Sequence, residues 1–141
     1  MKITLGIILI ATSALCGAQV EREADTPTIA DTVAYINANT VHGVTLHGTL
    51  LEAPNSKWNR QIDLLNAEAT STSADPADQV YISCKGMTRC INSDNKRNGA
   101  SEEIVIMKVL CTNATIAPHV AKALNHLIRL IQQQAESNQP F

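Results

Sequence analysis

The most regular pattern of apolar and polar positions lies near the end of the chain, over residues 116–134. Ile116, Val120, Ala123, Leu124, Leu127, Ile128 and Ile131 recur at the spacing of one helical face, and Lys122, Asn125, Arg129, Gln132 and Gln133 fall on the other. The pattern predicts an amphipathic helix. Pro118 suits its first turn, where a missing N–H costs nothing, and Arg129 lies late, where the macrodipole favours a cation. A shorter stripe, Ile29, Val33 and Ile36 widened by Ala30, predicts an earlier helix beginning near Pro27. Thr28 with Asp31 three residues on resembles a capping box.

Between these stripes the period falls to two. Val44, Leu46, Thr49, Leu50 and Leu51 alternate loosely over 41–52, and Gly43 and Gly48 interrupt them, which predicts one bent or bulged strand. Residues 53–56 read as a turn. A strand is expected over 58–69, with Trp58, Arg60, Ile62 and Leu64 on one face. Asp63 and Leu65 break its phase, so a helix over 62–68 is the competing reading. Residues 69–78 are small and polar and read as a loop. Val80 and Ile82 mark a strand over 79–83, followed by a hairpin turn at 85–88 and a return strand at 89–91. Residues 92–101 read as an exposed loop. The run Ile104, Val105, Ile106, Val109 and Leu110 has apolar residues on both faces and predicts a central strand over 103–111. The order implies an α+β fold: a mostly antiparallel sheet of four to five strands between an N-terminal and a C-terminal amphipathic helix.

The first residues change the boundaries of that domain. Lys2, the apolar run 3–14 and Cys16-Gly17-Ala18 form the pattern of a signal peptide over residues 1–18. The run is shorter than the ~20 apolar residues of a membrane-spanning helix. Cys16 raises the alternative of a lipoprotein, which the bulky Leu15 argues against. The expected organisation is a flexible arm over 19–26, a single α+β domain over 27–136 and a tail over 137–141. The mature protein would be exported, periplasmic or secreted, with no transmembrane segment after signal cleavage. The full chain carries a net charge of −2, and loss of Lys2 moves it to −3. Neither value gives the footprint of a nucleic-acid partner. With Tyr35, Trp58, Tyr81 and Phe141 as its only aromatic residues, the chain assembles no stacking platform for bases or sugars. Partners are then a protein or a small-molecule ligand.

Few residues remain as candidates for chemistry. Past residue 18 the cysteines are Cys84, Cys90 and Cys111. In a hairpin Cys84 and Cys90 would face each other at the ~5.5 Å Cα separation of a disulfide. A metal pair or a redox pair is less well matched, since neither Cys-x-x-Cys nor a close histidine pair is present. Cys111 is expected to be buried and free. His119 and His126, seven residues apart, share one margin of the final helix's stripe. They are ~10 Å apart along its axis and so too far for one ion, which favours rings packed at the core edge. Trp58 and Arg60 could pair as cation and ring, forming a small ligand shelf, or Trp58 could plug the end of the core. Lys96-Arg97 reads as a solvated loop pair. No phosphate loop, nucleophile elbow or zinc-protease motif occurs, so no cofactor or metal is expected.

The succession Pro27-Thr28-Ile29, Thr32-Val33, Ile36, then Cys84 and Cys90-Ile91, then Ala123-Leu124-Asn125-His126-Leu127-Ile128 resembles small exported bacterial proteins of unknown function. These have an amphipathic start, a cysteine-bearing hairpin and a final helix of the form AL-x-HLI. The resemblance implies no activity. The expectation is an exported, non-enzymatic binding or structural domain. The alternative is a small periplasmic hydrolase-like or metal-dependent enzyme using His119 or His126. An enzyme would bring a histidine and a carboxylate or thiol into one cleft; a binding domain would show a groove or an exposed patch.

Overall fold

The computed structural model describes residues 26–139; the stretch expected to be a signal peptide, residues 19–25 of the expected arm and the last two residues lie outside the described residues. Helix α1 (Ile29–Ala38) begins where the sequence places its cap. The Thr28 hydroxyl accepts from the Asp31 N–H at 3.1 Å and the Asp31 carboxylate accepts from the Thr28 N–H at 3.2 Å, a reciprocal pair that satisfies two otherwise orphaned donors. The helix buries Thr32 and Ile36.

The expected single strand over 41–52 is a hairpin, β1 (Thr45–His47) and β2 (Leu50–Pro54). Its two-residue turn starts on Gly48 at φ +62°, the left-handed conformation that such a turn takes most cheaply from glycine. The chain continues through β3 (Trp58–Asp63), a 3₁₀ turn (Leu64–Asn66), β4 (Ala67–Thr72), β5 (Gln79–Cys84), a second 3₁₀ turn (Lys85–Met87), β6 (Ile91–Asn95), β7 (Ser101–Ile104), β8 (Ile106–Leu110) and α2 (Ala117–Ser137). Strands β1-β2-β3-β6-β7 form one sheet and β4-β5-β8 a second, with every pairing antiparallel. The fold is α+β, with two sheets rather than one.

Three ribbons of chain run through both sheets. β3 leads into β4, β5 into β6 and β7 into β8, and each ribbon bends at the same level. Ile62, Ile91 and Ile104 face one another as the last row that β3, β6 and β7 share in the first sheet. Ala67 then faces Cys84, and Ser83 faces Ile106, in the second. The bend of the first ribbon explains the broken phase seen in the sequence. The Asp63 carboxylate accepts from the Leu65 N–H at 3.0 Å and starts the 3₁₀ turn, so that Ile62, Leu64 and Ala67 all enter the core. Neither the unbroken strand over 58–69 nor the helix over 62–68 forms, and β4 extends into the stretch expected to be a loop.

The middle ribbon carries the largest correction. Cys84 and Cys90 are bonded, with Cα atoms 5.8 Å apart, but not across a hairpin. β5 pairs with β4 and β8, and β6 pairs with β3 and β7. The bridge instead closes an excursion over 85–89 and lets the strand resume beyond it. The Cys84 N–H reaches the Val105 carbonyl at 3.0 Å, which ties the excursion to the bend of the third ribbon. Residues 92–101 are likewise not all loop, since 91–95 and 101–104 are strands; a polar strand hides from a hydrophobicity pattern. The run over 103–111 reads as apolar on both faces because it crosses from one sheet to the other at Val105. β7 and β8 are edge strands, and Ile106 is 42% exposed.

Helix α2 buries Ala117, Val120, Ala121, Leu124, Leu127, Ile128 and Ile131 against α1, β4 and β5. Two residues assigned to its polar face meet the sheet instead. The Asn125 side chain accepts from the Thr70 N–H at 3.1 Å, and Gln132 donates to the Leu64 and Ala67 carbonyls, each at 3.0 Å. They satisfy the unpaired edge of β4, which would otherwise be open to another strand. The far end of the β8 edge is covered by residues 39–41: Thr40 bridges to Cys111, and the Val41 N–H donates to the Leu110 carbonyl at 2.9 Å.

Candidate ligand cleft

Away from the bends, the ends of the two sheets come together and enclose a cleft of about 380 Å³. The end of β2 and the start of β3 form one wall through Ala53, Pro54, Trp58 and Arg60. The start of β5 and end of β8 form the other through Gln79, Lys108, Val109 and Leu110. Thr40, His42 and Gly43 close one side, and the turn Asn55-Ser56-Lys57 another. The shape of the 42–43 segment is fixed by backbone chemistry. Gly43 has φ +70°, and a Cβ there would lie 2.9 Å from Asn37 Oδ1, the atom that accepts the Val44 N–H. Glycine is therefore the one residue that fits without strain.

Trp58 and Arg60 come together as the sequence suggested. The Arg60 guanidinium carbon is 5.7 Å from the Trp58 ring centroid, and Lys57 Nζ is 5.9 Å from it. Both lie within the range of cation–π attraction. Arg60 is also held from behind, where its Nε donates to the Ser93 hydroxyl at 3.1 Å, and Ser93 is fully buried. Arg60, Ser93 and Glu102 occupy one row across β3, β6 and β7. Burial lowers the Arg60 pKa, with the Glu102 carboxylate pulling it back up; the group keeps its charge. Lys57, Arg60 and Lys108 line the cleft together with the apolar Ala53, Pro54, Val109 and Leu110, and among the described residues no carboxylate is part of its lining.

The other candidates do not converge. His126 Nε2 is 3.1 Å from the Pro27 carbonyl oxygen, pinning α2 to the segment before α1. His119 is exposed in the first turn of α2, and His42 is the histidine at the cleft. Cys111 is buried and unbonded; burial, and then the charge of Asp78, push its thiol pKa up, the opposite of an activated nucleophile. Among the described residues no group of three or more histidine, cysteine, aspartate or glutamate side chains could hold a metal ion. Among them, too, no helix is long and apolar enough to cross a membrane.

Lys108, Ser93 and His42 belong to this site, and sequence reasoning did not single them out. Ser93 lay in a stretch read as loop, and Lys108 in a strand read as central. Their roles depend on how the bent ribbons bring distant segments together. The chain matches no protein family, no curated protein and no solved structure.

Proposed function

We propose that this is an exported, non-enzymatic binding domain whose ligand enters the cleft between the two sheet ends. The observation that carries this reading is that Lys57 and Arg60 lie against Trp58 in a cleft also lined by Lys108 and by apolar residues, with no carboxylate among its described lining residues. Such a lining favours a ligand with an apolar body and an anionic group. Export rests on the pattern of residues 1–18 and accords with the Cys84–Cys90 disulfide, since such bonds persist in oxidising compartments. The resemblance to small exported bacterial proteins points the same way. The enzymatic alternative through His119 or His126 has less support, because His119 is exposed, His126 is engaged with the Pro27 carbonyl, and neither lines the cleft.

Trp58 is the sole tryptophan and lines the cleft, so its fluorescence reports occupancy directly. Titration with acidic, neutral and cationic small molecules should give saturable changes with acidic ones. Lys108→Gln, at an exposed position, should weaken that binding about tenfold, or ~1.4 kcal/mol, with no change in melting temperature. Preference for neutral or cationic ligands, or indifference to Lys108→Gln, would refute the reading.

A further inference from the structure

The cleft does not end at Lys57. Ser56 and Lys57 also belong to an adjoining open groove, whose far side is Asn95, Lys96, Arg97 and Asn98. The groove runs between two turns, the β2–β3 turn and the β6–β7 turn, and both are locked by asparagine side chains. Asn55 Oδ1 accepts the Lys57 and Trp58 N–H groups at 2.9 and 2.7 Å, and Asn95 Oδ1 accepts the Arg97 N–H at 2.9 Å. The turns are joined by the Lys96 N–H donating to the Lys57 carbonyl at 3.0 Å. Three cations are therefore presented on a braced backbone, continuous with Arg60 and Lys108 in the cleft, in a chain whose net charge is −2. Carboxylates nearby are Glu102 beside Arg60, Asp94, which accepts from the Ser101 hydroxyl, and Asp78, which precedes Gln79 of the cleft wall and acts on Cys111.

Resting on the cleft reading, we propose that the ligand is an acidic oligosaccharide, with one carboxylated sugar in the cleft and the next in the open groove. Repeated anionic groups match cations spaced along a continuous path. Between the cations the lining is neutral, with the Ser56 hydroxyl and the amide N–H groups of Asn55, Gln79, Asn95 and Asn98, whose side-chain oxygens are already engaged within the protein, as donors for sugar hydroxyl groups. Nucleic acid fits worse. Among the described residues that line the path Trp58 is the one aromatic ring, and it carries Lys57 and Arg60 against it; successive bases have nothing to stack on, whereas an acidic sugar is held here through its carboxylates and hydroxyls, which need no stacking platform.

The test is a Trp58 fluorescence titration of the full-length protein with galacturonic acid and its di-, tri- and tetramer. Neutral dextran oligomers and a short single-stranded DNA serve as comparators. Affinity should rise about tenfold or more from monomer to tetramer and fall with added salt. The double variant Lys96→Gln/Arg97→Gln, confined to exposed turn positions, should abolish the gain with length and leave monomer binding intact. Lys108→Gln should weaken every oligomer. Monomer binding with no gain in length would overturn the oligosaccharide inference and leave the cleft reading standing. Equal or tighter binding of the DNA, or of dextran, would overturn it as well. Failure of all acidic sugars while another small acid binds would remove the sugar assignment alone, and failure of every ligand would remove both readings.

Discussion

Leu127 and His126 are neighbours in sequence with opposite parts in the structure. Leu127 is fully buried in the stripe of α2, where truncation leaves a cavity that close-packed neighbours fill only in part. His126 stands at the stripe's margin with one bond, to the Pro27 carbonyl. Leu127→Ala should cost about 2–5 kcal/mol and His126→Gln under about 1.5 kcal/mol, the range of one ordinary hydrogen bond. A denaturant titration of each variant measures both. Trp58 and Arg60 were legible as a pair because a strand puts alternate residues on one face. What braces Arg60 was not legible, because Ser93 acquires meaning only when β6 is laid beside β3. The histidines attracted attention for their chemistry, yet their spacing along one helix already told against a shared ion.

At the scale of elements, the helices were legible and the strands were legible only in part. A helix repeats a pattern over many turns, and its cap is written in adjacent residues, as in Thr28 and Asp31. A strand's partner is elsewhere in the chain, and the bends at 64–66, 85–89 and 105 break the period that identifies it. The polar side of α2 illustrates the same limit. Asn125 and Gln132 are hydrophilic and fall opposite the apolar stripe on a wheel, yet they finish the edge of β4. Gln132→Ala should therefore cost about 1–3 kcal/mol, since it removes two hydrogen bonds near the core and leaves the Leu64 carbonyl with the Ala67 N–H alone, whereas the exposed Gln133→Ala should stay within about 0.5 kcal/mol. Thermal melts of the two variants side by side check this, and equal costs would mean that the edge contacts contribute nothing.

For the whole molecule, the shared level of bending makes the two sheets depend on each other. Each ribbon contributes strands to both, so neither sheet can be lost while the other keeps its complement. Trp58 fluorescence reports the first sheet and far-ultraviolet circular dichroism is dominated by α2, which rests on the second. Their unfolding curves should coincide, as a cooperative transition requires. Replacing Cys84 and Cys90 together by alanine should lower stability by about 2 kcal/mol, the loop-closure value for so short a ring, while the two curves still coincide. Separation of the curves in that variant would mean that the bridge, and not the ribbons, couples the sheets.

The excursion that the bridge closes has a consequence of another kind. Residues 85–89 are exposed, including Met87 at 63%, while Cys84 and Cys90 anchor the two ends 5.8 Å apart. Strand pairing resumes at Ile91 whatever lies between the cysteines. The segment is thus an exposed ring tethered at both ends, whose outer residues can drift in length and composition at little cost to the framework. The chain has in effect a built-in attachment point: foreign sequence could be grafted there, or varied by descent, far from the cleft and without disturbing how the rest of the polypeptide closes on itself.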